Sequence, residues 1–149
     1  MQLQNVFVPL KIRKGKNYER IKRELESGNL HPKVMLMLYD VGYWVWRKHH
    51  KAIYVTHAYR SQKKQEEIYG KGTSKKSSHM YWRAVDIIVD GADDALYREM
   101  EAYLDGRYPY HGSEGYSTSD PHDVGLGMHL HIQVGYNEPF NKGFFEKRS

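Results

Sequence analysis

The sequence predicts an α+β fold in which a small antiparallel sheet is flanked by helices. Apolar residues recur every three or four positions between Val34 and His49, which is the spacing of a long helix with one buried stripe. Three short segments rich in β-branched and aromatic residues, 52–59, 83–89 and 128–134, are typical of strands. The length of 149 residues fits one domain with a single hydrophobic core.

Caps, glycines and prolines mark the ends of the other elements. Pro32 lies in the first turn of the long helix, where proline is tolerated. The further predicted elements are, in chain order, an edge strand or extended arm over 5–12, a helix over 18–26 capped by Asn17, a helix from Ser61 to about Tyr69, and a helix from Asp93 to Leu104.

Two stretches have the composition of loops. Residues 70–78 are rich in Gly, Ser and Lys, and residues 111–127 are rich in Gly, Ser and Asp. A long loop such as 111–127 is often functional in a compact domain, so we expect a lid or a substrate clamp there. The tail to Ser149 is irregular, although its three phenylalanines, at 140, 144 and 145, indicate that it packs against the domain.

The composition limits the chemistry that the chain can perform. It contains no cysteine, so disulfides and thiolate metal ligands are excluded, and any metal must bind to histidine and carboxylate. The formal net charge of +5 suits contact with a polyanion or simply a soluble surface. We find no secretory signal in the first residues and no apolar run of about 18 residues, so we expect no membrane insertion.

His79 and Asp86 lie seven positions apart, and Asp86 belongs to an apolar, β-branched run. A fully extended segment of this length would span about 23 Å. It would also place the two side chains on opposite faces. If both residues serve one site, the chain must therefore form a loop over 80–83.

Two further histidines occur in the last predicted strand. His129 and His131 are two positions apart, so they point to the same face. One carboxylate and two or three imidazoles from separate segments are what a catalytic zinc ion requires, since three protein ligands leave a fourth position for water. An iron oxygenase also uses two histidines and one carboxylate, but there the first histidine and the carboxylate are usually two positions apart.

Taken together, these motifs resemble the zinc peptidases of peptidoglycan. The pattern Ser77-x-His79-x-x-x-x-Ala84-x-Asp86 is preceded by Tyr59-Arg60-Ser61 and Gln65 and followed by His129-x-His131. It is similar to the motif of D-Ala-D-Ala carboxypeptidases and L-alanyl-D-glutamate endopeptidases. The wider group of these enzymes includes lysostaphin-type and penicillin-insensitive murein endopeptidases. Hedgehog domains are relatives of this group by fold. The resemblance covers residues 53–134. It implies one zinc peptidase-like domain over 1–149, with a helical part (1–50), a metal-site core (51–136) and a tail (137–149).

The resemblance also implies roles for single residues. His79, Asp86 and His131 match the zinc ligands, and Arg60 matches an arginine that lies over the substrate. His129 matches a histidine beside the zinc-bound water, as general base or oxyanion donor rather than as a fourth ligand. The candidates for substrate contact are Arg60, Gln65, Ser77 and Trp82, and Gln65 and Ser77 are also candidates for fixing His79.

Two positions depart from the family pattern. Many members have glycine where this chain has Trp82, which would narrow or reshape the pocket. Several members carry a catalytic glutamate where this chain has Met128. A carboxylate from the loop over 111–127, Glu114 or Asp123, is the candidate replacement for that base.

The predicted function is therefore a zinc-dependent peptidase that cleaves stem peptides or cross-links of peptidoglycan, with Zn²⁺ as cofactor. Endopeptidase and carboxypeptidase activity are both compatible with the motif. A small, basic chain without a signal also resembles a phage endolysin, which is made in the host cytoplasm and acts on the wall, and we expect a monomer. The alternatives are an inactive zinc-binding module, an iron oxygenase, and a nucleic-acid binder. The last has little support, because the basic residues are scattered and form no binding motif.

Overall fold

A five-stranded sheet is the centre of the fold, and the α+β class is confirmed. The computed structural model describes residues 10–123 and 127–138. The strands are β1 (Leu10–Ile12), β2 (Ile53–His57), β3 (Ala84–Val89), β4 (Ser119–Asp123) and β5 (Met128–Gln133), in the spatial order β1-β2-β3-β5-β4. Three of the four strand pairs are antiparallel, as expected. The fourth differs, because the edge strand β1 runs parallel to β2.

The predicted helices are present with small differences at their ends. They are α1 (Tyr18–Glu26), α2 (Pro32–His49), α3 (Gln62–Tyr69) and α4 (Asp94–Arg107), and a 3-10 turn spans Ser78–Tyr81. The Ser61 hydroxyl accepts from the Lys64 N–H and Asp93 accepts from the Leu96 N–H, which are the bonds expected of N-caps. Asn17 holds the cap position of α1, but its side chain makes no capping bond.

The hydrophobic core lies between the helices and one face of the sheet. Val85 and Ile87 from β3 and Leu130 from β5 are fully buried there, together with Val41 from α2 and Leu104 from α4. Because strand side chains alternate, the residues between them face the other side. We call that second side the site face, and it carries Asp86, Ile88, His129 and His131.

The prediction of one loop over 111–127 is wrong in its second half, because Ser119–Asp123 forms β4 at the sheet edge. The segment Ser-Asp-Pro-His-Asp has low strand propensity. Proline is nevertheless accepted in an edge strand, where its missing N–H faces no partner strand. Pro121 lies opposite Leu130 and is buried, so tertiary packing outweighs the local preference.

Some predictions concern residues outside the described part of the chain. These are residues 5–9 of the predicted arm, residues 124–126 of the predicted loop, and the tail segment that contains Phe140, Phe144 and Phe145. In the two described ranges, no helix has the length and apolar character needed to cross a membrane.

A left-handed residue closes the turn that places His79. Trp82 has φ 59° and ψ 32°, a region that glycine enters freely and that costs other residues about 1 kcal/mol. Glycine at this position would adopt the conformation without strain. In this chain the indole ring stacks on Tyr59, with centroids 4.5 Å apart and planes at 17°, and the Trp82 carbonyl accepts from the His31 N–H at 2.8 Å.

We predict that Trp82→Ala destabilises the fold more than Trp82→Gly does. Both changes remove the stacked ring, which we expect to cost about 2–3 kcal/mol. Alanine keeps the left-handed strain whereas glycine relieves it, so the glycine variant should be about 1 kcal/mol more stable. Urea unfolding of both variants measures the difference. Equal stabilities would contradict a strained Trp82 backbone.

Candidate metal centre

Three predicted ligands converge on the site face. The ligand atoms of His79, Asp86 and His131 all lie within 4.8 Å of one another. Asp86 on β3 and His131 on β5 are direct cross-strand partners. The 3-10 turn with Trp82 brings His79 back over β3, which confirms that the chain loops between His79 and Asp86. His79 and Asp86 are buried and His131 is half-buried.

The orientation of the His79 ring is set by the backbone. Its Nδ1 lies 2.7 Å from the Ala58 carbonyl oxygen. A carbonyl only accepts hydrogen bonds, so Nδ1 carries the proton and Nε2 holds the lone pair. That Nε2 lies 3.2 Å from Asp86 Oδ1.

The orientation of the His131 ring is set by an amide. Its Nε2 lies 3.0 Å from Gln133 Oε1, and the Gln133 Nε2 donates to the Ser117 carbonyl at 2.9 Å. The amide is thereby held with its oxygen toward His131. The same Gln133 Oε1 also accepts from the Ser78 hydroxyl at 3.0 Å. The Nε2 of His131 therefore donates. In the neutral ring its Nδ1, 2.9 Å from Asp86 Oδ1, carries the lone pair, and in the protonated ring this nitrogen donates to Asp86.

Two imidazole acceptor nitrogens thus meet at one carboxylate oxygen. Neutral imidazoles in these tautomers would direct lone pairs at a negative charge, so the cluster requires a cation or an added proton. Histidine ligands that donate their second nitrogen to a carbonyl or amide oxygen are usual around metal ions. The residues therefore fit a metal ion by ligand type and by outer hydrogen bonds. This ligand set accepts zinc, iron and related divalent ions.

The charges at the cluster are strongly coupled. Burial raises the pKa of Asp86, but the neighbouring charges and hydrogen bonds of His79 and His131 outweigh it and hold that pKa well below its ordinary value. Burial lowers the pKa of His131, but its hydrogen bond to Asp86 and the charge of that carboxylate raise the pKa above the ordinary value.

His129 lies beside the cluster as predicted. It is 6% exposed and points to the same face as His131. Burial lowers its pKa, although the Asp86 charge acts in the opposite direction. At neutral pH it is therefore an uncharged imidazole that can accept a proton. Within the described residues it is not part of the group whose ligand atoms converge.

Arg60 lies beside His79, one of the three residues that we call the metal cluster (His79, Asp86 and His131), and a buried glutamine holds its side chain. Its Nη1 donates to Gln65 Oε1 at 3.1 Å, and its backbone N–H donates to the His79 carbonyl. Gln65 is 1% exposed, and its amide nitrogen donates to the Lys75 carbonyl at 3.2 Å. Since both ends of the amide are engaged, Gln65 positions Arg60 and anchors the loop that follows α3.

Ser77 and Trp82 also have local roles. The Ser77 hydroxyl accepts from the His79 N–H at 3.3 Å, which matches the prediction that Ser77 fixes His79. The Trp82 ring packs on Tyr59 and against the hydrophobic core. Substrate contact by Gln65, Ser77 and Trp82 stays a prediction.

The sequence reasoning missed His57, which lies on the other side of Asp86. Its Nδ1 is 3.5 Å from Asp86 Oδ2. Regular alternation would place His57 in the core with Ile53 and Val55, but a register shift between Val55 and His57 moves it to the site face opposite Asp86. Burial lowers the pKa of His57, and the charges of His79, His129 and Arg60 lower it further. The Asp86 charge raises this pKa but does not outweigh them. No glycine or other local signal marks this bulge.

Strand β4 adds two more residues that the sequence placed in a solvated loop. Asp120 is the cross-strand partner of His131, and His122 is the partner of His129, with ring centroids 4.4 Å apart. Both therefore point to the site face. The carboxylate that β4 offers there is Asp120.

The two carboxylates proposed as replacement bases lie elsewhere. Asp123 is one residue out of phase with His122, so it points to the other face, and it accepts from the Gly127 N–H at 3.2 Å. Glu114 is exposed in the loop that precedes β4. Among the described residues, neither belongs to the group whose ligand atoms converge.

Comparison with known proteins adds no relative. No protein-family model, no curated protein and no solved structure matches this chain. The resemblance to peptidoglycan peptidases therefore depends on the motif residues of the sequence.

We predict that Gln133→Met weakens metal binding by about 10- to 100-fold, the usual effect of losing an outer partner of a histidine ligand. The variant removes the oxygen that fixes the His131 tautomer while keeping the side-chain volume. Competition with a chromogenic zinc chelator gives the dissociation constant. The matched control is Gln62→Met on the exposed side of α3. Unchanged affinity in Gln133→Met would show that the amide does not orient the ligand.

We also predict a pH signature of the Asp86–His131 pair. The pKa of His131 is raised in the folded protein, so its stabilisation is present below its unfolded pKa of about 6.5 and is lost as the pH rises through the folded value. In the presence of a chelator, the unfolding free-energy difference between the parent chain and His131→Gln should shrink from pH 6 to pH 9. With zinc it should grow, because metal ligands must be deprotonated. A chelated difference that rises with pH would contradict the pairing.

Proposed function

We propose that this protein is a zinc-dependent peptidase that cleaves peptide bonds in the stem peptides or cross-links of bacterial peptidoglycan. The observation that carries the proposal is the convergence of His79, Asp86 and His131 within 4.8 Å, with the non-ligand His129 and Arg60 beside them. Two histidines and a carboxylate form the ligand set of hydrolytic zinc centres that keep one position open.

The chain's own residues supply the parts that peptide hydrolysis needs. A zinc ion held by the three ligands would act as a Lewis acid and lower the pKa of a bound water toward 7. His129 is neutral at physiological pH and takes the proton of the attacking water, then returns it to the leaving amine. Arg60 donates to the carbonyl oxygen as negative charge develops on it.

The substrate class comes from the family resemblance. The motif residues of this chain resemble those of enzymes that cut wall peptides, often next to a D-amino acid. The proposal includes both endopeptidase and carboxypeptidase activity. The net charge of +5 favours attraction to an anionic wall. A role as a phage endolysin, made in the host cytoplasm and released to the wall by a separate pore-forming protein, is the biological setting that we propose.

One observation favours a second function. Met128 stands where several family members carry the general base, and a chain without a base would bind zinc and wall peptide or a protein partner without cleavage. His129, by its position and its lowered pKa, is the reason that we prefer the enzyme.

The test is zinc-dependent solubilisation of purified peptidoglycan. We expect clearing by the zinc-loaded protein, none after chelation, and recovery with zinc. His131→Ala should lose both zinc and activity. His129→Gln should keep one zinc per chain and lose about 10²- to 10⁴-fold in rate, the usual contribution of a general base.

Mass spectrometry of the released fragments identifies the new amino termini and hence the bond that is cut. Recovery with Fe(II) only when oxygen is present, with oxidised instead of hydrolysed fragments and no recovery with zinc, would favour the iron oxygenase instead. One zinc per chain with no cleavage of any type of peptidoglycan would contradict the enzyme and favour the binding module.

A further inference from the structure

Two adjoining cavities lie over the site face of the sheet. The smaller, of about 250 Å³, is lined by His57 and His129 and so begins beside the metal cluster. The larger, of about 700 Å³, lies over β1 and β2. Both are lined by Arg13, Ile88 and Asp90. One ligand can therefore extend from the metal cluster into the larger cavity.

The strand register shows how far apart the two ends are. Lys11 on β1 is paired with Tyr54 on β2, and Tyr54 is paired with Ile88 on β3. Ile88 is two residues from Asp86, so this row of side chains lies on the same face as the metal cluster. Strands β1 and β3 are two strand spacings apart, about 10 Å, and Asp86 lies about 7 Å along β3 from Ile88, so Lys11 lies about 12 Å from the metal cluster.

The larger cavity is positively charged. Lys11, Arg13 and Lys14 line it, against one carboxylate, Asp90. The three cations are exposed, and none forms an ion pair with a residue of the described ranges. Lys11 Nζ lies over the Tyr54 ring, 5.9 Å from its centroid. The cations therefore remain available to an anionic ligand. Tyr54 also lines this cavity.

We infer that the larger cavity is a subsite for a carboxylate-bearing arm of the peptide substrate. This inference rests on the proposed function and names the part of the substrate that the chain selects. The guanidinium of Arg13, at the junction of the cavities, matches the planar geometry of a carboxylate. A separation of about 12 Å corresponds to about three to four residues of extended peptide. The recognised carboxylate thus lies about three to four residues from the bond at the metal cluster.

The charge at the junction of the cavities favours a peptide over a phosphate polymer. Asp90 lines both cavities, so its carboxylate lies where a ligand would pass from one to the other. A polyphosphate chain places a negative charge at every step and would meet a like charge there. A peptide can place an uncharged residue beside Asp90 and its carboxylate beside the cations.

The test is equilibrium binding to the zinc-loaded His129→Gln protein, in which cleavage is suppressed. The probes are a soluble stem tetrapeptide with free carboxylates, the same peptide with its carboxylates amidated, and polyphosphate. Binding is compared among the His129→Gln background, the same protein with Lys11→Gln and Arg13→Gln, and a control with Arg47→Gln. Arg47 is exposed on α2, which packs on the opposite face of the sheet.

We expect Lys11→Gln with Arg13→Gln to weaken binding of the free-carboxylate peptide by about tenfold or more, and Arg47→Gln to leave it unchanged. The amidated peptide should bind all three proteins equally. Thermal unfolding checks that the variants are folded, and the comparison of the two peptides on one protein does not depend on stability.

Three results would overturn the subsite. In the first, the free-carboxylate peptide binds equally to the substituted protein and to the His129→Gln background. In the second, the free and the amidated peptide bind equally to the background. In the third, polyphosphate displaces the bound peptide at a lower concentration than unlabelled peptide does. Failure of the proposed function has a different signature. The unsubstituted zinc-loaded protein would then cleave no wall peptide, while the charge-dependent binding would persist.

Discussion

The pairing of Asp86 with His131 across β3 and β5 is the interaction on which the rest of the site depends. It brings His131 Nδ1 to 2.9 Å from Asp86 Oδ1. His79 and His57 also approach this carboxylate. The pairing exists only in one register. A slip by one residue would turn Asp86 into the core and Val85 or Ile87 toward the open face.

That register is maintained by the opposite side of the same strands. Val85, Ile87, Leu130 and Ile132 are fully buried, and each loses its burial if either strand slips. Transfer of one such side chain to water costs about 1.5–3 kcal/mol, so several together hold the polar residues between them in place. The metal cluster is therefore positioned by hydrophobic packing, whereas its own hydrogen bonds set only the direction of each ring.

The sequence was sufficient for the elements that have strong periodicity and for naming three residues that converge into a group able to hold a metal ion. The stripe of α2, the alternation of β3 and the His-x-His pair of β5 each have one physical interpretation, and all three are observed. His57 could not be found in this way, because it reaches the site through a bulge that reverses the alternation of β2. Strand β4 was missed because its Asp and Pro residues disfavour strands locally, and only its position at the sheet edge permits them.

The tautomers of His79 and His131 cannot be predicted from the sequence. They depend on the Ala58 carbonyl and on the Gln133 amide, which meet the rings only after the turn, β2 and β5 have come together. A motif can therefore name His79 and His131 as ligands, but the atom through which each would bind follows from the tertiary structure.

Under the proposed function, the sheet order separates the residues for chemistry from those for recognition along the chain. All the ligands, His129 and Arg60 lie between residues 60 and 131, whereas the cations proposed to hold the substrate belong to a three-residue edge strand and the two residues after it. An edge strand has one neighbour, and its exposed side chains can change without disturbing the core. Under the proposed function, related chains could thus acquire new substrate preferences through mutations near residue 11 while their catalytic centre stays the same.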